Sequence, residues 1–167
     1  MATTYEKIAS TTLGSATSNI TFSSIPATYT DLRIVWVYQS VSAGNYPYLQ
    51  FNSDTAANYS YLTLYGDGSA AGSQKSSNNN GAYLVSNAAA STSQWQMQTI
   101  DIFSYAGGTF KTLLNTYSGD TNGGGFVSNG VNLWRSTSAI TSVKLLFDAS
   151  GNIAAGSTAT LYGILKA

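Results

Sequence analysis

Apolar and polar residues alternate with a period of two along most of this chain. In "DLRIVWVYQ", Leu32, Ile34, Trp36 and Tyr38 fall on one side, with Arg33, Val35, Val37 and Gln39 on the other. That pattern predicts a strand buried on one face and at least half covered on the other. "YSYLTLY" sets Tyr59, Tyr61, Thr63 and Tyr65 against Leu62 and Leu64. "QWQMQTIDIF" sets Trp95, Met97 and Thr99 against Gln96 and Gln98 and runs on into Ile100 and Ile102. "TFKTLLNTY", "SVKLLFD" and "TATLYGIL" repeat the theme, with Val143, Leu145 and Phe147 facing away from Lys144 and Asp148. No stretch carries a helical period of apolar residues at helix length.

Between the strands lie Gly-, Asn-, Asp- and Ser-rich stretches: "SAGN" (42–45), "GDGSAAGSQKSSNNNG" (66–81), "SGDTNGGG" (118–125) and "ASGN" (149–152). These residues supply positive φ and side-chain caps at turns. Roughly ten strands separated by such signals, with no βαβ alternation, predict an all-β chain of two packed sheets. Residues 1–167 read as a single β-sandwich domain, large enough to bury a real core. Long connections at 66–81 and 118–125, read as crossings between sheets, favour a jelly roll over a simple meander. No internal repeat of fixed period points to a propeller or solenoid.

Composition sharpens this picture at one point. Hydrophobic residues make up an ordinary 43%, but charged residues only 8%, against about 25% in a typical soluble domain. The surface is therefore covered by Ser, Thr, Asn, Gln, Gly and Tyr, a character that suits an assembly or an extracellular setting. Seven basic residues balance seven acidic ones, with no run of either sign, so the basic stripe of a nucleic-acid binder is missing. An anionic membrane surface is disfavoured for the same reason. No stretch is apolar enough for a spanning helix. Glu6 and Lys7 stand where a signal peptide would need its apolar region, so a soluble chain without an export signal is expected.

Candidate chemistry is sparse. Histidine and cysteine are both absent, which removes Ser-His-Asp and Cys-His nucleophile systems and the common zinc sites. A carboxylate pair of the glycosidase type is the remaining enzymatic route. Of one Glu and six Asp, however, Asp54, Asp67, Asp120 and Asp148 fall at turn signals, and only Asp101 lies in mid-strand. The expectation is no enzymatic activity and no cofactor. "DTNGGG" from Asp120 begins like a calcium loop but lacks the later bidentate carboxylate, and a plain Gly-rich turn is the simpler reading. "GDGSAAG" has no helix or Lys-Ser/Thr pair after it and is no phosphate loop. Asn19-Ile20-Thr21 and Asn58-Tyr59-Ser60 fit the glycosylation pattern. Aromatics make up 13%, and Tyr46, Tyr48, Tyr59, Tyr61 and Tyr65 crowd into one stretch. They are the candidate contact residues for protein or glycan, set against a purely structural role in cross-strand pairs.

Three segments carry a resemblance: "TTYEKIAS" at the start, "ITFSSIPATYTDLRIV" at 20–35 and "STATLYGILKA" at the end. They are similar to small virion proteins of tailed bacteriophages, which share a Tyr-Glu-x-Ile strand, a Phe-x-Ser-Ile-Pro-x-x-Tyr-x-Asp-Leu segment and a Thr-Leu-Tyr-Gly-Ile ending. The likeness covers about the first 37 residues and the last dozen; the centre does not match. Locally, Pro26 sets an extended approach to a strand, Asp31 is placed to cap the turn before it, and Gly163 permits a bulge or a close backbone neighbour.

The resemblance implies a jelly-roll virion protein without catalytic residues, either a capsid decoration (cement) protein or the tip of a tail or head fibre. With no anchor, stalk or shaft in this sequence, the free-standing role is expected. In that role the chain sits on the capsid exterior, bound to the major capsid protein and grouped as trimers. The alternative is a receptor-binding tip engaging host surface glycan, and a third reading is a soluble β-sandwich lectin.

Overall fold

The computed structural model describes residues 4–85, 88–120 and 124–165. Its strands are β1 (Tyr5–Thr12), β2 (Asn19–Phe22), β3 (Asp31–Tyr38), β4 (Pro47–Phe51), β5 (Tyr59–Gly66) and β6 (Ala71–Asn79) in the first half. The second half holds β7 (Ala82–Tyr83), β8 (Gln96–Ile102), β9 (Lys111–Asp120), β10 (Gly125–Trp134), β11 (Val143–Phe147) and β12 (Thr158–Ile164). The fold is all-β: every pairing is antiparallel, in an eight-stranded sheet ordered β1-β12-β3-β8-β9-β10-β5-β6 and a four-stranded sheet ordered β2-β11-β4-β7.

Only β5–β6, β8–β9 and β9–β10 turn back within a sheet; every other connection crosses the sandwich. Strands β1-β12-β3-β8 of the large sheet over β2-β11-β4-β7 have the four-on-four order of a jelly roll, and β9, β10, β5 and β6 continue the large sheet beyond β8. The sequence reached the jelly roll by the wrong connections. Residues 66–81 are no long loop, because they contain all of β6, an edge strand whose residues "AGSQKSSNN" are half-buried or exposed throughout. Pairing with β5 alone makes it a strand, and the apolar alternation that marks a buried strand is missing. Residues 118–125 close the β9–β10 hairpin within one sheet, and 121–123 of that stretch lie outside the described residues.

The core forms where the small sheet covers the large one. Leu32, Ile34, Trp36 and Tyr38 of β3, Ile100 and Ile102 of β8, and Leu161 of β12 meet Leu49 and Phe51 of β4 and Val143, Leu145 and Phe147 of β11. Trp36 and Tyr38 lie 4.2 Å apart between ring centroids, and both stand 5.9 Å from Phe147. Each such side chain contributes roughly 1.5–3 kcal/mol through burial.

Eight strands cannot be covered by four. Over β8, β9 and β10 the interior is filled partly by the irregular chain after β7, whose backbone groups need partners. Side-chain amides supply them. Gln98 Nε2 donates to Leu84 O at 2.9 Å, Asn115 Nδ2 donates to the same carbonyl, and Gln96 Oε1 accepts from Ser91 N at 3.0 Å. This is why Gln96 and Gln98 point inward while Trp95 and Met97 are exposed. Ile100 and Ile102 fix the register of β8, and a period of two then carries the glutamines inside with them.

Further along the same inner surface, Thr63 Oγ1, Ser128 Oγ and Asn132 Oδ1 are buried without a hydrogen-bond partner. A buried hydroxyl without a partner costs about 1–3 kcal/mol. Replacing Thr63 by the isosteric valine is therefore expected to raise stability by about 1 kcal/mol in urea unfolding. A fall in the midpoint would show the hydroxyl to be bonded.

The three segments that carried the resemblance meet at one place. Gly163 of β12 pairs with Glu6 of β1 and Leu32 of β3, and the Tyr29 ring lies over it: a Cβ there would stand 2.3 Å from Tyr29 Cγ. Tyr29 Oη donates to Glu6 Oε2 at 2.9 Å. Neither reason anticipated for Gly163 holds: its close neighbour is the Tyr29 ring and not backbone, and the irregularity in pairing lies in β1, between Lys7 and Ala9. Tyr105 Oη donates to Pro26 O and accepts from Tyr29 N at 3.3 Å. Asp31 Oδ1 accepts from Ser104 N at 2.7 Å, so it ties down the β8–β9 connection and leaves its own preceding turn uncapped. Lys166 and Ala167 of the last motif lie outside the described residues.

Candidate functional site

The five tyrosines singled out by sequence do not share a face. Tyr59 is fully buried, stacked on Trp134 at 6.2 Å, with its oxygen accepting from Phe51 N at 3.0 Å. Tyr65 stacks on Phe126 at 5.7 Å and shields Gly72. Tyr61 is half-buried, 5.5 Å from Tyr83. The alternation in β5 turns these three inward, because Tyr59 and Thr63 are core positions. Tyr46 and Tyr48 belong to the small sheet and its approach; Tyr48 is buried against Tyr83 at 4.8 Å and donates to Asn80 Oδ1. The structure thus joins Tyr48, Tyr61 and Tyr83 into a run of rings and leaves Tyr59 and Tyr65 as packing residues.

Inward tyrosines put the leucines of β5 outside. Leu62 and Leu64 are 45% and 60% exposed, and on the neighbouring strands Leu114, Val131 and Val127 are exposed too. Register aligns three of them directly across the sheet: Leu114 opposite Val131, and Val131 opposite Leu62. Leu64 sits opposite Asn129 in the next row. At one end of the apolar row stands Lys75, opposite Leu62; at the other stands Asp101, opposite Leu114. Asp101, the awkward mid-strand acid, is neutralised by Arg33 directly across from it, with Nε–Oδ1 at 2.5 Å and Nη2–Oδ2 at 2.8 Å. A shallow cavity of about 600 Å³ runs along this face, lined in part by Leu62, Lys75, Val131 and Leu133. Contiguous exposed apolar surface of this kind marks interaction sites. The other half of the "YSYLTLY" alternation was the signal for it.

The opposite side of the sandwich is different in kind. The outward residues of the small sheet and the chain beside it line a groove of about 460 Å³ that includes Tyr48, Gln50, Asn80, Tyr83, Lys144 and Asp148. Gln50 Nε2 donates to Asn80 O at 3.0 Å, Asp148 Oδ1 accepts from Tyr46 N at 2.9 Å, and Tyr83 Oη donates to Asp148 Oδ2 at 3.3 Å. Burial and then the nearby Asp148 charge push the Tyr83 hydroxyl up to about 12, and burial pushes Tyr48 higher still.

Asp54, Asp67 and Asp148 serve the backbone as their positions implied. Asp67 Oδ1 accepts from Ser69 N and Ala70 N at 2.9 and 2.7 Å. Burial raises the Asp54 carboxyl, but hydrogen bonds from Asn58, Trp134 Nε1 and Ala56 N outweigh it and hold the group below its ordinary 3.8. Among the described residues no three acidic side chains gather into a metal site. The loop from Asp120 that began like a calcium site lies largely in 121–123, outside the described residues.

These groups set an expected pH profile. A lowered carboxyl contributes stability above its unfolded pKa and loses it as pH falls through the folded value; for Asp54 and Asp67 that window lies at and below 3.8. The raised Tyr83 and Tyr117 hydroxyls contribute fully below 10 and lose that contribution as pH rises through about 12. With no histidine in the chain, urea midpoints are expected to stay level from about pH 5 to 9. A step inside that range would contradict the assignment.

No family model, curated protein or solved structure matches this chain.

Proposed function

We propose that this chain is a structural protein of a tailed-phage virion, a decoration protein that binds the major capsid protein on the outside of the shell through the outer face of β9, β10 and β5. The observation that carries the reading is the row Leu114–Val131–Leu62, an apolar line across an open sheet whose flanking acid, Asp101, is already paired with Arg33. Such a face gains by being covered. Many modest contacts of this kind, repeated over a shell and grouped as trimers, would brace capsomers against packaged DNA even if each were weak. The phage setting rests on the three motifs.

The test is attachment. Purified protein is expected to co-sediment with capsids that lack it and to delay their heat-induced rupture. A stained gel of purified virions should show on the order of hundreds of copies per particle, one to each of many equivalent sites. A dozen copies or fewer would transfer the chain to a fibre tip, and absence from virions would overturn the reading altogether.

A further inference from the structure

We infer that the groove on the outer face of the small sheet is a binding site for a neutral saccharide. This goes beyond shell attachment and does not depend on it, since the groove lies on the side of the sandwich away from the apolar row. At about 460 Å³ it falls within the roughly 300–1,000 Å³ of small-molecule sites.

The chemistry is mixed in the way hydroxyl groups require, because each sugar hydroxyl both donates and accepts. Gln50 is 6% exposed and uses Nε2 on Asn80 O. Its Oε1 makes no hydrogen bond, yet it is not among the buried polar atoms without partners, so this acceptor opens on the groove. Asn80 uses Oδ1 to accept from Tyr48, which leaves its Nδ2 as a donor beside it. Lys144 stands opposite Gln50 in register and adds a donor; Asp148 adds acceptor capacity. One positive and one negative side chain leave the lining without net charge, so neither a phosphate nor a polycation is matched. Half-buried Leu146 and the Tyr83 ring give apolar surface against which the C–H face of a pyranose can lie.

The site is also held in place before any ligand arrives. The chain at Asn80–Gly81 presses on the Tyr48 ring so closely that a Cβ at Gly81 would stand 2.4 Å from Tyr48 Cε1 and 2.8 Å from Leu49 O. Asp148 is fixed by Tyr46 N and Tyr83 Oη. Groups whose own hydrogen bonds fix their direction lose little freedom on binding.

The experiment is a ¹⁵N–¹H titration of the purified chain with glucose, galactose, mannose, N-acetylglucosamine and their common disaccharides at millimolar concentrations. At least one sugar is expected to shift the amides of Asn80–Tyr83 and Lys144–Asp148 in a saturable way. Gln50→Leu should weaken that binding about tenfold. Lys144→Ala, at a position where no structural bond is lost, should weaken it several-fold and guards against misfolding of the first variant. If no sugar moves these amides, or if the shifts survive both substitutions, the inference is overturned. Leu64→Asp should leave the titration unchanged, so failure of shell attachment and failure of sugar binding remain separable.

Discussion

Replacing Gly163 by alanine is expected to cost about 1–3 kcal/mol, the range for overfilling a packed site. In a chain that already carries Tyr29→Ala the same change is expected to cost almost nothing. The reason is space: the new methyl would stand 2.3 Å from the root of the Tyr29 ring, which cannot swing aside as a flexible side-chain end could. Moving the ring also disturbs the hydrogen bond from Tyr29 Oη to Glu6 on β1 and the one from Tyr29 N to Tyr105 Oη. With the ring gone, alanine merely fills a gap on a central strand. A double-mutant cycle read by urea midpoints should give a coupling of about 1–3 kcal/mol. Additive losses would mean that ring and glycine do not share the space.

Leu64→Asp is expected to weaken attachment to capsids by on the order of 100-fold, since a lone carboxylate covered by a partner costs about 3 kcal/mol. The folded chain itself should change by no more than about 0.5 kcal/mol, because Leu64 is 60% exposed and faces solvent. Co-sedimentation measures the first quantity and urea unfolding the second. Full attachment by a Leu64→Asp, Leu114→Asp chain would remove this face from the interaction. A large loss of stability would instead show that the face is covered within the chain. Lys144→Ala, on the other side of the sandwich, should leave attachment intact.

The sequence made the layer architecture legible because β3, β11 and β12 alternate cleanly between buried and half-buried positions. It was less informative wherever something other than apolar burial defines a strand. β6 is held by its ladder to β5 and shows no apolar period. β8 and β9 point glutamine and asparagine inward to serve the backbone of the chain after β7, a need visible only once that chain is seen inside the sandwich. The tyrosine cluster drew attention to the right strand and the wrong side of it. Tyr59, Tyr61 and Tyr65 share a side, but nothing local says whether they or the leucines face the interior. Here Tyr59 closes an aromatic group with Phe51 of the preceding strand and Trp134 of β10, the latter far away in sequence. The small-sheet groove was less legible still, because Gln50, the Asn80–Tyr83 stretch and Asp148 come from three separate parts of the chain.

The uncharged row across β9, β10 and β5 also fixes how an adhesive contact there would respond to its surroundings. Contacts steered by charge fade as added ions shorten the Debye length. Cohesion between hydrocarbon surfaces does not, and strongly excluded salts such as sulfate tighten it. A particle held together through Leu62, Val131 and Leu114 would keep its coat in brine and shed it most readily in cold, dilute water.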